Sequence, residues 1–308
     1  MTLLKTLFVI TITTSRLFFP SVPETGEAGK PLAFRSLHIE LASDMPADRA
    51  AKASVVVPAA LGVGNEVKLT IDSANSSAAK PETAKFELRE YWGSGRSIAA
   101  DQPKITGSDK NVESEAQQII PDKSFAFWPA IDPKAYEDTA KLEGAYKLNT
   151  TYCGATSVEL TSDQNFLPPI NITTAAQHDL EKPISLKWMP VPGAVGYILR
   201  AYGGNQKRTI TWTSSAKPDL AHNIENRPVS SSDLADYIKY GVLIPPHIVT
   251  NTIPAGVFKG SSSVMLIITA IGKDIVQDKD GITTWALVRS SASVPLYSTP
   301  RESNKKKP

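Results

Sequence analysis

Alternating apolar and polar residues predict three consecutive strands in the segment 184–215. Residues 184–188 place an apolar side chain at every second position, as expected of a strand with one buried face. Prolines and glycines then interrupt the pattern, because proline has no backbone donor and glycine accepts unusual dihedral angles. The alternation resumes at 197–201 and again at 210–212. Three strands separated by turns indicate an antiparallel meander, the building unit of β-sandwiches.

Similar patterns predict further strands on both sides of this segment. They are marked by period-two alternation or by short apolar runs bounded by turn residues. The run at 264–271 is apolar on both faces, as expected of a central strand that is covered on both sides. The other predicted strands lie at 34–41, 55–58, 66–72, 85–92, 145–152 and 282–288.

One short helix is predicted inside a long insertion at 217–251. Ser231 is predicted to cap this helix, and an acidic residue follows in its first turn. Apolar residues then fall on one helical face up to residue 238, and Gly241 ends the helix. The insertion therefore adds a helix of two to three turns to an otherwise β region.

The composition fits a mostly β globular protein. Hydrophobic residues make up 41% of the 308 residues and charged residues 21%. The 23 prolines stand against only 4 methionines, so turns are expected to be frequent. The formal net charge of +2 offers no basic surface for nucleic acid. A chain of this length accommodates two domains with their own cores.

The first 22 residues are interpreted as an export signal. Lys5 supplies a positively charged n-region, and the apolar run at 7–14 has the length of an h-region. This run is too short to span a bilayer as a helix. The alternative is that it forms a short buried strand. Export would place the mature protein in the periplasm, at the cell surface or outside the cell.

The chain is divided into five parts on this basis. Residues 1–22 are the signal peptide, and residues 23–33 are a disordered lead. Residues 34–175 form an N-terminal β-rich domain, and residues 176–297 form a β-sandwich domain with the helical insertion. Residues 298–308 are a basic disordered tail. The fold class is mostly β, with two β-sandwich-like domains and no transmembrane segment in the mature chain.

The segment around Trp188 resembles a fibronectin type III domain. The resemblance is carried by Leu186-x-Trp188, Val191-Pro192-Gly193-Ala194 and Gly196-Tyr197-x-Leu199. In those domains the tryptophan fills the space between two sheets, so the resemblance implies the same place for Trp188. The alternative is a meander of some other all-β fold.

No sequence motif indicates catalysis, a metal or a cofactor. The four histidines lack the i, i+4 spacing of a zinc helix. Gly93-Ser94-Gly95 lacks the G-x-S-x-G spacing of a nucleophile elbow. Residues 278–281 match only part of a calcium loop and fit a hairpin turn better. We therefore predict no catalytic residue, no metal and no cofactor, with a metal site built from distant residues as the alternative.

The single cysteine, Cys153, cannot form an internal disulfide bond. It follows Tyr152 in an alternating segment, and no cationic neighbour in the sequence would lower the pKa of its thiol. We predict that Cys153 is a small buried residue of a strand, with an unreactive thiol.

Two pairs of adjacent aromatic residues give the candidate binding site. Successive side chains of a strand point to opposite faces, so one ring of Tyr91-Trp92 and one of Phe127-Trp128 would point away from the core. Exposed rings are used by sugar-binding and protein-binding surfaces. The predicted ligand-binding residues are Tyr91, Trp92, Arg96 and Trp128, with Arg96 as a planar donor. The alternative is that both pairs belong to the core or to a domain interface.

Short motifs along nearly all of the chain resemble an uncharacterised family of exported bacterial proteins. In order, they are Tyr91-Trp92-Gly93-x-Gly95, Gln102-Pro103, Phe166-Leu167-Pro168-Pro169, Leu186-x-Trp188, Trp212-Thr213-Ser214-Ser215 and Ile253-Pro254-Ala255-Gly256-Val257-Phe258. The resemblance implies bacterial export and a two-part, β-rich architecture. In that family the position of Ser94 is frequently cysteine, so no thiol function carries over to this chain. The family brings no established activity.

The expected function is a non-catalytic one. We expect an exported binding or structural protein of the bacterial envelope or surface, with an envelope protein or glycan as its partner. The alternative is a secreted hydrolase of envelope polysaccharide or protein that uses carboxylates brought together from distant positions. Two carboxylates in a cleft would favour the hydrolase, and a flat aromatic patch would favour the binding protein. The sequence leaves the oligomeric state open.

Overall fold

Strands dominate the structure, which is a computed structural model. It describes residues 5–17, 33–72, 87–107, 123–130, 135–137, 139–174 and 179–298. Strands make up 49% of the structure and helical residues 9%, and the strands are arranged in large sheets. The prediction of a mostly β, sandwich-like fold is confirmed.

The strands and helices are numbered in chain order. The strands are β1 (Thr6–Leu17), β2 (Ala33–Ser43), β3 (Ala53–Val56), β4 (Glu66–Lys68), β5 (Thr70–Asp72), β6 (Glu87–Trp92), β7 (Lys104–Gly107), β8 (Ser124–Trp128), β9 (Gly144–Thr150), β10 (Ala155–Leu160), β11 (Ile184–Lys187), β12 (Gly196–Asn205), β13 (Arg208–Thr213), β14 (Thr250–Ile253), β15 (Ser263–Ile271), β16 (Ile275–Lys279) and β17 (Ile282–Ser298). The helices are α1 (Pro218–Ala221) and α2 (Ser231–Lys239), and 3₁₀ turns lie at Ala59–Leu61, Ser162–Gln164 and Ile224–Asn226.

Eleven of the described strands form one large sheet. Its order is β5-β8-β2-β1-β17-β15-β12-β13-β6-β7, and β16 pairs with the first part of β17. Two smaller sheets have the orders β10-β9-β3-β4 and β11-β14. Side chains from all three sheets belong to one continuous core. The two smaller sheets therefore form the second layer of a sandwich-like architecture.

Residues 6–17 form β1, which lies inside the large sheet. β1 pairs antiparallel with β2 and parallel with β17. Its side chains Phe8, Ile10 and Ile12 face the core and are 0% exposed. An apolar run rich in β-branched residues suits an interior strand as well as an h-region, so the pattern alone fits both. In this structure residues 6–17 therefore adopt the alternative of a buried strand, and the interpretation of residues 1–22 as an export signal stays a prediction.

The large sheet crosses the predicted domain boundary near residue 175. Six of its described strands precede this position and five follow it. β1 pairs with β17 and β6 pairs in parallel with β13, so continuous hydrogen-bonded ladders join the earlier strands to the later ones. The core is likewise continuous. The predicted parts 34–175 and 176–297 therefore share one sheet and one core.

The predicted lead and tail fall mostly outside the described residues. In the lead, 23–33, only Ala33 is described, and it is the first residue of β2. In the tail, 298–308, only Ser298 is described, and it is the last residue of β17.

The three strands predicted within 184–215 are present as β11, β12 and β13. β12 and β13 form an antiparallel hairpin, as predicted. β11 instead pairs with β14 and belongs to a different sheet from β12. The turn after β11 carries the chain from one layer of the sandwich to the other. Alternation alone does not distinguish such a crossing from a hairpin. This explains why the prediction of a three-stranded meander was wrong for β11.

Trp188 follows β11 and packs between the two layers. Its side chain is 1% exposed. The indole meets the ring of Tyr197 in β12 edge-on, with the ring centroids 5.4 Å apart and the planes at 69°. Because β11 and β12 belong to different sheets, this aromatic contact joins the layers. The expected place of Trp188 between two sheets agrees with the structure.

The helical insertion packs on the outer face of the large sheet. The side chain of Ser230, rather than Ser231, caps α2 by accepting a hydrogen bond from the Asp233 N–H at 3.1 Å. Apolar side chains of α2 join a second hydrophobic cluster that contains Ile198 of β12 and Ile271 of β15. This cluster covers the outer face around Ile198 and Ile271, whereas Tyr202, farther along β12, is 41% exposed.

Trp188→Ala should destabilise the protein by about 3–5 kcal/mol, because it empties a large, fully packed aromatic site. The neighbouring residue Met189 is 51% exposed and provides a matched control. Met189→Ala should change the free energy of unfolding by no more than about 0.5 kcal/mol. Denaturant unfolding of the three proteins measures the difference. A loss for Trp188→Ala as small as that of the control would contradict the inter-sheet packing.

Candidate functional site

The structure places the four predicted binding residues in three different environments. Tyr91 faces the core and is 7% exposed, opposite Trp212 of β13. Trp92, the next residue of β6, is half-buried on the outer face of the sheet. Arg96 is exposed in the loop after β6, where its backbone carbonyl accepts a hydrogen bond from Ala255. The prediction that one ring of the Tyr91-Trp92 pair points outward therefore holds.

Trp128 does not belong to the same site. It lies in β8, paired with Ile39 of β2, near the opposite end of the large sheet from β6. Seven strand-to-strand steps of roughly 4.8 Å separate β8 from β6 along the sheet. Trp128 is half-buried and packs against the main core. The structure therefore does not bring the four predicted residues together, and Trp92 is the one whose ring is a candidate contact on the open face.

Trp92 lines a surface groove of about 500 Å³ on the outer face of the large sheet. Its floor is formed by β15, β12, β13 and β6, and its lip is formed by residues 218–226 of the insertion. We call this cavity the sheet-face groove. It lies beside the part of the outer face that the second hydrophobic cluster covers.

Strand register explains why these side chains meet. Trp92 is paired with Thr213, Thr213 with Arg200, and Arg200 with Ile267, so these four residues form one row across the sheet. Paired residues of neighbouring strands share a face.

The next row brings a second aromatic ring to the groove. Glu90 is paired with Thr211, and Thr211 with Tyr202, two residues along each strand from the first row. Tyr202 is 41% exposed. Trp92 and Tyr202 therefore stand on the same face, two strands apart.

An ion pair joins the floor of the groove to its lip. Arg200 of β12 donates from Nε and Nη2 to the carboxylate of Glu225, with Nη2–Oε2 at 2.9 Å. Its Nη2 also donates to the carbonyl of Ala221 at 2.7 Å. Burial of the guanidinium lowers the pKa of Arg200, but the hydrogen bond and charge of Glu225 raise it by more. This bidentate contact therefore fixes both the position of the lip and the orientation of the Arg200 side chain.

A second, fully buried ion pair anchors the same lip. Arg289 of β17 donates to both carboxylate oxygens of Asp274, at 2.6 and 2.9 Å. Arg289 also donates to the carbonyls of Glu225 and Arg227, and Asp274 accepts from the N–H of Val229. Since removal of one partner would leave a buried charge unpaired, this pair holds residues 225–229 firmly on the sheet.

The two carboxylates of the groove are both engaged with cations. Glu225 accepts from Arg200, as described above. Glu90 lies 3.9 Å from the Nζ of Lys104, in a solvent-exposed pair that contributes little to stability. A groove with this arrangement can bind a ligand through rings and hydrogen-bonding groups. The groove does not present two free carboxyl groups that could act as acid and base.

In the described residues, no cluster of three His, Cys, Asp or Glu side chains is arranged to hold a metal ion. Residues 278–281 include the turn between β16 and β17, where Asp280 and Gly281 have positive φ angles of 55° and 76°. This is the hairpin turn that the sequence favoured over a calcium loop. The described helices include none with the length and apolar character needed to cross a membrane.

Most residues of the groove were not among the predicted site residues. Arg200 and Tyr202 occupy the outward positions of β12, opposite the inward side chains Tyr197, Leu199 and Ala201. That alternation was visible in the sequence. The contribution of the insertion was not, because its docking on the sheet depends on contacts between residues far apart in the chain.

Comparisons of the chain with protein-family models, with curated proteins and with solved structures found no match.

Cys153 lies in the turn between β9 and β10, not in a strand, and it is half-buried. Its Sγ is 3.3 Å from the hydroxyl oxygen of Thr150. Burial raises the pKa of the Cys153 thiol, and hydrogen bonds from neighbouring hydroxyls oppose this only in part. The prediction that Cys153 lies in a strand is therefore wrong. Its raised pKa is a physical reason to expect an unreactive thiol, as predicted.

Native Cys153 should react with a thiol reagent more slowly than the same thiol in the urea-unfolded chain. The thiolate is the reactive species, and a raised pKa lowers its fraction at any pH below that pKa. As the pH rises, the unfolded chain should reach its full rate first and the native chain at higher pH. Labelling rates followed by mass spectrometry test this. Equal rates in the two states, or a disulfide-linked dimer, would contradict it.

Proposed function

We propose that this chain is a non-catalytic, exported binding protein of the bacterial envelope or surface, and that its ligand occupies the sheet-face groove. The supporting observation is the groove itself, with Trp92 and Tyr202 on one open face beside polar side chains of the insertion. Binding sites typically combine apolar and aromatic side chains with a few well-placed polar groups.

The state of the carboxylates favours binding over hydrolysis. A glycosidase needs one carboxyl group as acid and a second carboxylate as base or nucleophile. In the sheet-face groove, Glu225 is bound by Arg200, and Glu90 stands near Lys104. The groove offers instead rigid rings at fixed positions on paired strands. We therefore propose binding as the function and keep hydrolysis as the alternative.

The scaffold of the groove supports the proposed likeness to a fibronectin type III sandwich. β17, β15 and β12 are neighbours in one sheet, while β11 and β14 pair in the opposite layer. An immunoglobulin-type sandwich has the same division of its second, third, fifth, sixth and seventh strands. Such sandwiches commonly present loops and sheet faces to partners.

The export part of the proposal is supported by the resemblance to a family of exported bacterial proteins. It does not rely on residues 6–17, because these form β1 of the folded sheet. An envelope or surface location fits a protein whose open face carries rings beside polar groups.

The purified protein should cosediment with an insoluble bacterial envelope fraction, and a Trp92→Ala/Tyr202→Ala variant should lose about tenfold or more in affinity. The reason is that the two substitutions remove both rings from the groove, and a few large aromatic contacts dominate most binding sites. Sedimentation at increasing protein concentration measures the affinity.

Tyr240→Ala is the matched control. Tyr240 is an exposed aromatic residue next to α2 and does not line the sheet-face groove. Its substitution should leave sedimentation unchanged. Circular dichroism and denaturant unfolding establish that each variant folds, and Tyr202→Ala alone replaces the double variant if that variant does not fold. A folded variant that sediments like the parent protein would contradict the proposed site.

A further inference from the structure

The geometry points to an uncharged carbohydrate chain as the ligand of the sheet-face groove. This inference rests on the proposed binding function and specifies the chemistry of the ligand. It is derived from the charge balance of the groove, from the pairing of its floor strands and from the type of side chain at its lip.

The charges of the groove disfavour strongly charged ligands. The carboxylate and guanidinium side chains of its lining are Glu90, Glu225 and Arg200, so two negative charges stand against one positive charge. The guanidinium of Arg200 is already occupied by Glu225 and by the carbonyl of Ala221. A phosphate or an acidic polymer would therefore meet no free cation in the lining. A cationic ligand would likewise meet only carboxylates that are already engaged, Glu225 with Arg200 and Glu90 with Lys104. A neutral ligand does not need a free ionised group.

The floor of the groove disfavours an extended peptide. Peptides that bind to sheets usually add a strand to an exposed edge, where unpaired N–H and C=O groups are available. The central floor strands are β12 and β13. β12 pairs with β15 and β13, and β13 pairs with β12 and β6. Their backbone groups are used within the sheet, so a ligand is recognised here by side chains alone.

The side chains that remain match the two surfaces of a sugar ring. A pyranose has an apolar C–H face and a rim of hydroxyl groups that both donate and accept hydrogen bonds. Trp92 and Tyr202 supply flat rings for the apolar face. Asn223 and Asn226, exposed at the lip, each combine a carbonyl acceptor with an amide donor. Thr211 adds a hydroxyl on the floor between the two rings.

The lip is held in place without the ligand. Residues 221–229 are anchored by Arg200 and Arg289, as described above. Asn223 and Asn226 therefore approach a ligand from fixed backbone positions, and less ordering is required on binding.

Three sugar tetramers of matched length test the inference: N-acetylglucosamine, glucosamine and galacturonic acid, which are neutral, cationic and anionic. A neutral glucose tetramer provides a second neutral probe. Titration calorimetry and tryptophan fluorescence measure the affinities for the parent protein. We expect at least one neutral tetramer to bind at least about tenfold more tightly than either charged one, which corresponds to about 1.4 kcal/mol.

Two variants locate the neutral tetramer in the groove. Trp92→Ala should lower its affinity by about tenfold or more, and Asn226→Ala should lower it by a smaller factor. Tyr240→Ala should bind as tightly as the parent. Binding of a charged tetramer in preference to both neutral ones, or binding of none of the four, would overturn the inference.

Failure of this inference is distinguishable from failure of the proposed function. If the parent protein sediments with envelope material through Trp92 and Tyr202 but binds no neutral tetramer, only the ligand class is wrong. If the Trp92→Ala/Tyr202→Ala variant retains envelope binding, the groove is not the binding site, and the inference falls with it.

Discussion

The pairing of β1 with β17 and β2 is the contact on which the rest of the structure depends. β1 stands between β2 and β17, so it is the hydrogen-bonded link between β5-β8-β2 and the remaining strands. Its inward side chains Phe8, Ile10 and Ile12 belong to the continuous core. Without β1, β2 and β17 would each present an unpaired edge, and a row of large apolar side chains would be missing beneath them. One sheet and one core therefore require residues near both ends of the chain.

The sheet-face groove is a consequence of this sheet and of how the insertion covers it. Along β12, the outward residue Ile198 is buried under the insertion, Arg200 is half-buried at the lip, and Tyr202 is open. Arg200 and Arg289 reach from the sheet to the lip and hold it by charged hydrogen bonds. The same contacts that stabilise the insertion also leave one part of the face uncovered, with rings on its floor. The proposed binding and the stability of the insertion thus depend on the same few residues.

Local sequence patterns predicted the features that depend on residues close together in the chain. They did not predict strand order or register, which depend on contacts between distant residues. The mostly β class, the helix near Ser231 and the burial of Trp188 follow from side-chain periodicity and turn chemistry. The place of β1 could not be predicted, because the short apolar run at 7–14 suits a leader and an interior strand equally. Trp128 and Trp92 look alike in the sequence, yet strand order places them at opposite ends of the sheet. Register across β6, β13 and β12, which assembles the groove, is likewise a long-range property.

Native-state hydrogen exchange of β1 tests the central role of this strand most directly. The amides of Ile10 and Ile12 lie between two hydrogen-bonded neighbours, so they should exchange only when the whole protein unfolds. Their exchange free energy should equal that of Leu199 in β12 and Ile268 in β15, and it should fall with denaturant at the same slope. Fast exchange of the β1 amides, with β12 and β15 still protected, would show that the sheet is stable without β1 and would contradict this account.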